Sequence, residues 1–292
     1  MIDEAEVRFY RDNGYLFVPS VFSDIEVASM RAAAYRNVEL SKTVSGSDER
    51  FDVGPGHSKH QPRLRRLKNP CDHEEVFASA SRSEALLDIV SALVGPDVRF
   101  DHSKLNFKPR GAAETIEWHQ DWAFYPHTND DILAVGVLLE DATHDNGPLM
   151  VVPESHKGPV YDHHRNGYFV GAIDLTTADF DAKSSVEITG KAGGVTIHHV
   201  RTIHGSRDNR SDQDRPLLLL SYAAVDAWPL IGDLDIEEFD ARILRGAATH
   251  APRQVALPIR VPLPRINTKS DSIYDDQDSV RGASFGEVGQ ST

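Results

Sequence analysis

From Val98 onward the apolar residues fall into short runs, 98–107, 132–139, 149–152, 195–199 and 217–223. Turn signals such as Asn146-Gly147-Pro148 and Gly193-Gly194 separate them, and no regular alternation with helical-period segments intervenes. A parallel sheet needs a helical crossover between successive strands, so this half of the chain cannot be doubly wound. Many short strands joined by turns predict a mainly β fold, an antiparallel barrel or jelly roll.

The N-terminal third is helical by the same reading. A helix over 3–13 stops at Gly14, and 15–19 reads as a short strand. Ser23 caps a second helix to about Leu40, with Glu26 placed for a capping box, and 83–93 forms a third helix closed by Gly95-Pro96. Residues 41–62, rich in Ser, Gly, Asp and His, read as a mobile loop, and the polar stretch 266–292 as a tail or flap. The expected organisation is one domain over 1–265 followed by that tail. The segments 41–70, 160–185 and 226–292 are where a pocket and lid would be built.

Charge narrows the function. A net charge of −14 argues against nucleic-acid and anionic-membrane surfaces, which need clustered Lys and Arg. The basic run 62–68 reads as a solvated face or as the rim of a site for an acidic substrate. One cysteine, Cys71, excludes an intrachain disulfide and a thiolate zinc cluster. The N-terminus has no basic, apolar leader, and no apolar run is long enough to span a bilayer. A cytoplasmic protein acting on a small-molecule substrate, as monomer or homodimer, is expected.

Chemistry is concentrated at Trp118-His119-Gln120-Asp121-Trp122-Ala123-Phe124-Tyr125. Residues i and i+2 of a strand share a face, so His119 and Asp121 can converge beside an aromatic wall. Taken alone, the pair reads equally well as a capping aspartate next to a core histidine. A third ligand is sought in Thr196-Ile197-His198-His199-Val200-Arg201-Thr202-Ile203-His204-Gly205-Ser206. Two histidines and a carboxylate on one face of an octahedral ion leave adjacent positions open, as in non-haem Fe(II) oxygenases. Arg215 stands eleven residues beyond His204 at the start of a leucine-rich strand, where a guanidinium needs an anion.

These segments, with Asp145-Asn146-Gly147-Pro148-Leu149 and Pro153-Glu154-Ser155-His156-Lys157-Gly158, resemble the phytanoyl-CoA dioxygenase family, which includes ectoine hydroxylases and bacterial natural-product hydroxylases of secondary metabolism. The resemblance runs from about Glu6 to Val225 and implies a double-stranded β-helix, Fe(II), 2-oxoglutarate as co-substrate and dioxygen. It implies His119, Asp121 and His204 as iron ligands, Arg215 as partner of the distal 2-oxoglutarate carboxylate, and Ser206 as a hydroxyl donor to it. Asn106 matches an asparagine that helps hold 2-oxoglutarate. His102 stands where ectoine hydroxylases carry a glutamine. Lys104 and Lys108 share the strand face of Asn106, and Lys104 is a further candidate to meet an anion. The retained carboxylate of Asp121 implies a hydroxylase, since related halogenases have a small residue there.

Some residues carry plainer expectations. His199 has the wrong strand parity for the site. His198 has the right parity but, on a continuous strand at about 3.3 Å per residue, lies about 20 Å from His204. Both are expected in structural hydrogen bonds, as is His156. Trp122, Phe124, Tyr125, Tyr168 and Trp228 are candidates to line a substrate pocket. Two alternatives to a hydroxylase remain open: a cupin-like metalloenzyme that does not use 2-oxoglutarate, and an inert jelly-roll binding protein.

Overall fold

The structure, a computed structural model, describes residues 1–111, 114–259, 273–277, 280 and 284. Most of the predicted tail, 266–292, therefore lies outside the described residues.

Helix α1 (Glu4–Asn13) begins at an Asp3–Glu6 capping box and ends at Gly14, whose φ of 80° only glycine adopts freely. Strand β1 (Tyr15–Val18) leads to α2 (Asp24–Ser41), capped by the Ser23–Glu26 box that the sequence predicts. The region expected as a mobile loop contains a strand, β2 (Phe51–Val53). The basic run forms β3 (Leu64–Lys68), with Arg65 and Arg66 buried. Of the two expectations for this run, the solvated face does not hold: Arg65 pairs with Glu114 at 3.1 Å and Arg66 lines a cavity, as the rim of a site would. Short helices α3 (Pro70–His73) and α4 (Glu75–Ser81) precede α5 (Glu84–Val94), which is capped by Ser83.

The strands that follow are β4 (Val98–Lys108), β5 (Ile116–His119), β6 (Ile132–Leu138), β7 (Leu149–Val151), β8 (His164–Arg165) and β9 (Tyr168–Phe169). Then come β10 (Val186–Ile188), β11 (Val195–His199), β12 (His204–Ser206) and β13 (Arg215–Ala224), followed by α6 (Ile236–Ala241), β14 (Ile243–Arg245) and α7 (Ile273–Asp276). Among the described residues they form two main antiparallel sheets. The larger runs β1-β11-β6-β13-β4-β3-β2 with β14 beside β4, and the smaller runs β10-β7-β12-β5. A cavity lined from both sheets lies between them, so the arrangement is a double-stranded β-helix with N-terminal helices packed outside.

Period-2 alternation explains the layering. On β13, Leu218, Leu220 and Tyr222 join the core beneath the helices, together with Leu105 and Phe107 of β4. Met30, Ala33 and Ala34 of α2, Phe77 of α4 and Leu86 and Val90 of α5 complete that layer. The intervening residues, Arg215, Leu217, Leu219 and Ser221 on β13 and His102, Lys104, Asn106 and Lys108 on β4, line the cavity instead. A leucine run buried on both faces hides this division from a hydropathy reading. None of the described helices is long and apolar enough to cross a membrane.

Gly14 ties the N-terminal helix to the site. Its carbonyl accepts from Thr202 Oγ1 at 2.7 Å and from the His199 amide at 2.9 Å, holding the segment that leads into His204. A Cβ at Gly14 would collide with the His156 ring and with Thr202 Oγ1. Gly14→Ala is therefore expected to lower stability by about 2 kcal/mol or more, from left-handed strain plus overlap. Urea unfolding should show a lower midpoint with an unchanged slope; an unchanged midpoint would show that this junction does not hold the segment.

Candidate metal centre

His119 ends β5 and pairs directly with His204 at the start of β12. Each ring donates from Nδ1 to a backbone carbonyl two residues earlier, Glu117 at 2.8 Å and Thr202 at 2.9 Å. That fixes the tautomer, and both Nε2 lone pairs then face inward. Between them stands Asp121, whose Oδ1 is 3.9 Å from each Nε2. The sequence predicts this convergence from strand alternation. The chain achieves it differently: the strand stops at His119, and Asp121 opens a 3₁₀ turn, Asp121–Ala123. Gln120 makes the turn possible. Fully buried, it donates to the carbonyls of Pro159 and Arg201 and accepts from the Tyr161 amide, while its own amide donates to His163.

Among the described residues, His119, Asp121 and His204 are the only three potential ligands whose donor atoms all lie within 4.8 Å of one another. Burial lowers the pKa of both histidines, which favours the neutral, ligating form. Burial works against the Asp121 charge, yet His204, then the hydrogen bond from His198, hold its carboxyl well below the usual range. Two neutral imidazoles and one carboxylate, with Nδ1 protons satisfied, fit a divalent first-row ion such as Fe(II).

His198 corrects the expectation. It is not 20 Å away: its ring lies 4.2 Å from that of His204, and its Nε2 donates to Asp121 Oδ2 at 3.2 Å. The strand is not continuous. β11 ends at His199, a turn closed by Thr202 N to His199 O reverses the chain, and β12 returns beside β5. An ionised Asp121 only accepts, so His198 carries its proton on Nε2; its Nδ1 is buried without a hydrogen-bond partner among the described residues. His199 and His156 do point away: His199 accepts from the Arg201 amide at 3.1 Å, and His156 meets the Arg11 carbonyl at 3.0 Å.

The centre opens on a cavity of about 150 Å³. At one end Arg215 is buried, donating from Nε to Asn146 O at 3.0 Å and from Nη2 to Gly147 O at 2.8 Å. Among the described residues no carboxylate lies within ion-pair distance of it, and neither Asp212 nor Asp214 pairs with it as a surface reading would have them do. Burial lowers its pKa to about 10. Lys108, opposite Arg215, donates to the carbonyls of Glu114 and Arg207, and burial and then Arg215 push its pKa well down. Ser206, Asn106, Lys104, Phe124 and Tyr125 also line the cavity.

Trp122 and Trp228 do not line it. Trp122 is packed with Ile132, Val200 and Ala227, Trp228 stacks on Phe239, and Tyr168 is 77% exposed. In the 3₁₀ turn, residue 122 points opposite to 121, into a secondary core. Arg66 and the C-terminal Ile273, Tyr274 and Asp276 join the lining; they lie in the segments 41–70 and 226–292 expected to build the pocket, though the sequence singles out none of them individually as a site residue. The available signal for Arg66 is the basic run itself, which also reads as the rim of a site for an acidic substrate. Gln277 holds the C-terminal piece in place, accepting from Glu117 N at 2.9 Å and donating to Gly171 O at 2.7 Å.

The sequence profile described as phytanoyl-CoA dioxygenase (PhyH) matches residues 10–217. A protein of Stutzerimonas stutzeri named probable alpha-ketoglutarate-dependent hypophosphite dioxygenase is 39% identical over 275 residues, 92% of this chain and 95% of that protein. L-proline trans-4-hydroxylase of Streptomyces griseoviridis is 30% identical over 246 residues, 77% of this chain and 88% of that enzyme. The crystal structure of EctD from S. alaskensis in its apoform superposes with a TM-score of 0.63 at 26% identity, covering 77% of this chain and 78% of that one.

The site predicts a graded loss of metal. Asp121→Ala removes the one anionic donor and should weaken Fe(II) binding at least about tenfold. His198→Leu leaves the ligand set intact but frees Asp121, and is expected to weaken binding by roughly 10- to 100-fold. His198→Gln, which keeps a donor near the same place, should recover most of it. Anaerobic competition against a chromogenic chelator measures all three; equal affinity in wild type and Asp121→Ala would remove Asp121 from the centre.

Proposed function

The chain belongs to the phytanoyl-CoA dioxygenase family, and from that premise we propose an Fe(II)- and 2-oxoglutarate-dependent dioxygenase in which His119, Asp121 and His204 hold the iron. One observation carries the reading: a buried two-histidine, one-carboxylate cluster shares a cavity with a buried arginine that has no carboxylate partner among the described residues. An inert binding protein has no need of either. A cupin-like enzyme that does not use the keto acid has no need of the arginine.

Arg215 is assigned to the distal carboxylate of 2-oxoglutarate. Two of its N–H groups are committed to loop carbonyls, which aims the remaining donors into the cavity. Ser206 and Asn106 add neutral donors on the way to the metal, and Lys108 stands beside the arginine as a buried amine whose charge burial and Arg215 disfavour. Phe124, Tyr125 and Tyr274 exclude water from the keto-acid path. Bound Fe(II) supplies the activation of dioxygen, which no side chain can provide. The overall conversion places one oxygen atom in the oxidised substrate and the other in succinate, with loss of carbon dioxide.

Two kinds of bond fit as the target. One is an unactivated C–H bond of a small metabolite, as expected for a hydroxylase. The other is a P–H bond, favoured by the 39% identity to a relative named for hypophosphite.

Arg215→Leu tests the assignment. It keeps apolar volume but leaves the co-substrate carboxylate unpaired, and should weaken 2-oxoglutarate by about 100- to 3000-fold. Fe(II) affinity should be unchanged, since Arg215 is not a ligand. Anaerobic titration of 2-oxoglutarate into the Fe(II) protein, followed by the visible charge-transfer band, measures this. Equal binding by both proteins would place the anchor elsewhere, and no band or succinate from wild type would favour the cupin-like alternative.

A further inference from the structure

The inner face of β4 presents His102, Lys104, Asn106 and Lys108 at alternate positions, all lining the cavity. Their cross-strand neighbours divide it. Lys108 lies opposite Arg215, Asn106 opposite Leu217 and Arg66, and Lys104 opposite Leu219 and Lys68. Lys104 is four residues from Lys108, about 13 Å along the strand. An acid whose far carboxylate sits at Arg215 occupies the Lys108 end, and Lys104 belongs to the other.

No hydrogen bond or ion pair involving the Lys104 ammonium is found among the described residues; its nearest ring is Tyr125, with Nζ 5.9 Å from the centroid. Arg66 reaches the same space from β3, held by Nε to Asn106 Oδ1 at 3.2 Å and stacked over Tyr274 at 5.5 Å. The two cations oppose each other: burial, then Arg66, brings Lys104 down to about 8. A neighbouring cavity of about 350 Å³ shares Arg66, His102 and Lys104 with the first and adds Lys68, with Glu49 its only carboxylate among the described residues, while Asp276 and Asp121 are the carboxylates lining the first. In a chain of net charge −14, such a concentration of positive charge is local, and it attracts anions that the rest of the surface repels. Asp121 does not account for Lys104, because it lies beyond ion-pair distance and is engaged by His198 and the facing histidines.

We propose that Lys104 and Arg66 form a second anion subsite, distinct from the Arg215 anchor, which binds a compact oxyanion group on the molecule that is oxidised. The group is a phosphinate, phosphonate or carboxylate. This rests on the dioxygenase reading, with the co-substrate at Arg215. It makes Lys104 a specificity residue for the oxidised substrate and takes it out of the co-substrate set.

The experiment uses the whole protein, anaerobic, loaded with Fe(II) and saturating 2-oxoglutarate. Hypophosphite, methylphosphonate and acetate are titrated by calorimetry into wild type, Lys104→Met and Lys104→Arg, with formamide as the neutral control. At least one oxyanion should bind wild type, and formamide should not. Lys104→Met should weaken that anion roughly 10- to 100-fold, Lys104→Arg by less than about tenfold. The 2-oxoglutarate affinity, read from the visible band, should stay within about twofold in both variants, which also shows that they fold. Preference for the phosphorus oxyanions or for acetate identifies the group. The subsite is overturned if no anion binds wild type, if Lys104→Met binds it equally well, or if the Met variant instead loses 2-oxoglutarate. Absence of the band in wild type would remove the dioxygenase reading, and the subsite with it; a normal band without anion binding removes the subsite alone.

Discussion

The antiparallel register of β4 against β13 is the constraint on which the site depends. It sets Lys108 against Arg215 and Lys104 against Leu219, and sends Leu105, Phe107, Leu218 and Leu220 under the helices. A slip of one residue would turn the cations into the helix-packed core and the leucines into the cavity. Both costs are large, since a buried unpaired charge is among the most expensive features a fold can carry. The register is therefore specified from both faces at once, by hydrophobic burial outside and by ion placement inside.

Holding that much positive charge in the interior requires local solutions. Lys108 and Arg215 are each steadied by two backbone carbonyls, Arg65 by Glu114, and Arg66 by Asn106 and the Tyr274 ring. Carbonyls satisfy N–H donors without neutralising charge. The field they leave at Arg215 persists, and it suits an anionic ligand. At the opposite wall the metal donors are arranged by the reverse logic. Backbone carbonyls take the Nδ1 protons of His119 and His204, and His198 donates to Asp121, so each donor atom keeps its lone pair for an ion.

Where expectation and structure part, the reason is backbone geometry outside regular strands. The assignment of His198 to a remote position assumed an unbroken strand from Thr196 to Ser206, and no glycine or proline between His199 and His204 announces the turn. Trp122 was expected in the pocket because it adjoins Asp121. A 3₁₀ turn sends the two side chains to opposite sides, and Trp122 fills a secondary core. Trp228 lies in the segment after β13, and its side chain is spent on Phe239. The basic run 62–68 reads as a solvated face, because arginine usually is solvated, or as the rim of a site for an acidic substrate. Here it becomes a strand next to β4, with Arg66 lining the cavity, Arg65 paired with Glu114, and Leu64 and Leu67 in the core.

By itself the sequence determined the helical first third with the Ser23–Glu26 capping box, the change to short strands after Val98, and the candidate donors His119, Asp121 and His204 with Arg215 downstream. These are local or additive signals: a cap is written within four residues, a strand in its alternation, a ligand in its chemistry. The tertiary structure alone decided that His198 supports Asp121, that Arg66 and Tyr274 enter the cavity, and that Lys104 stands apart from the Arg215 end. Each of those depends on which distant strands lie side by side, and on where a turn returns the chain. The cooperative burial of a whole sheet sets that, and no single segment records it.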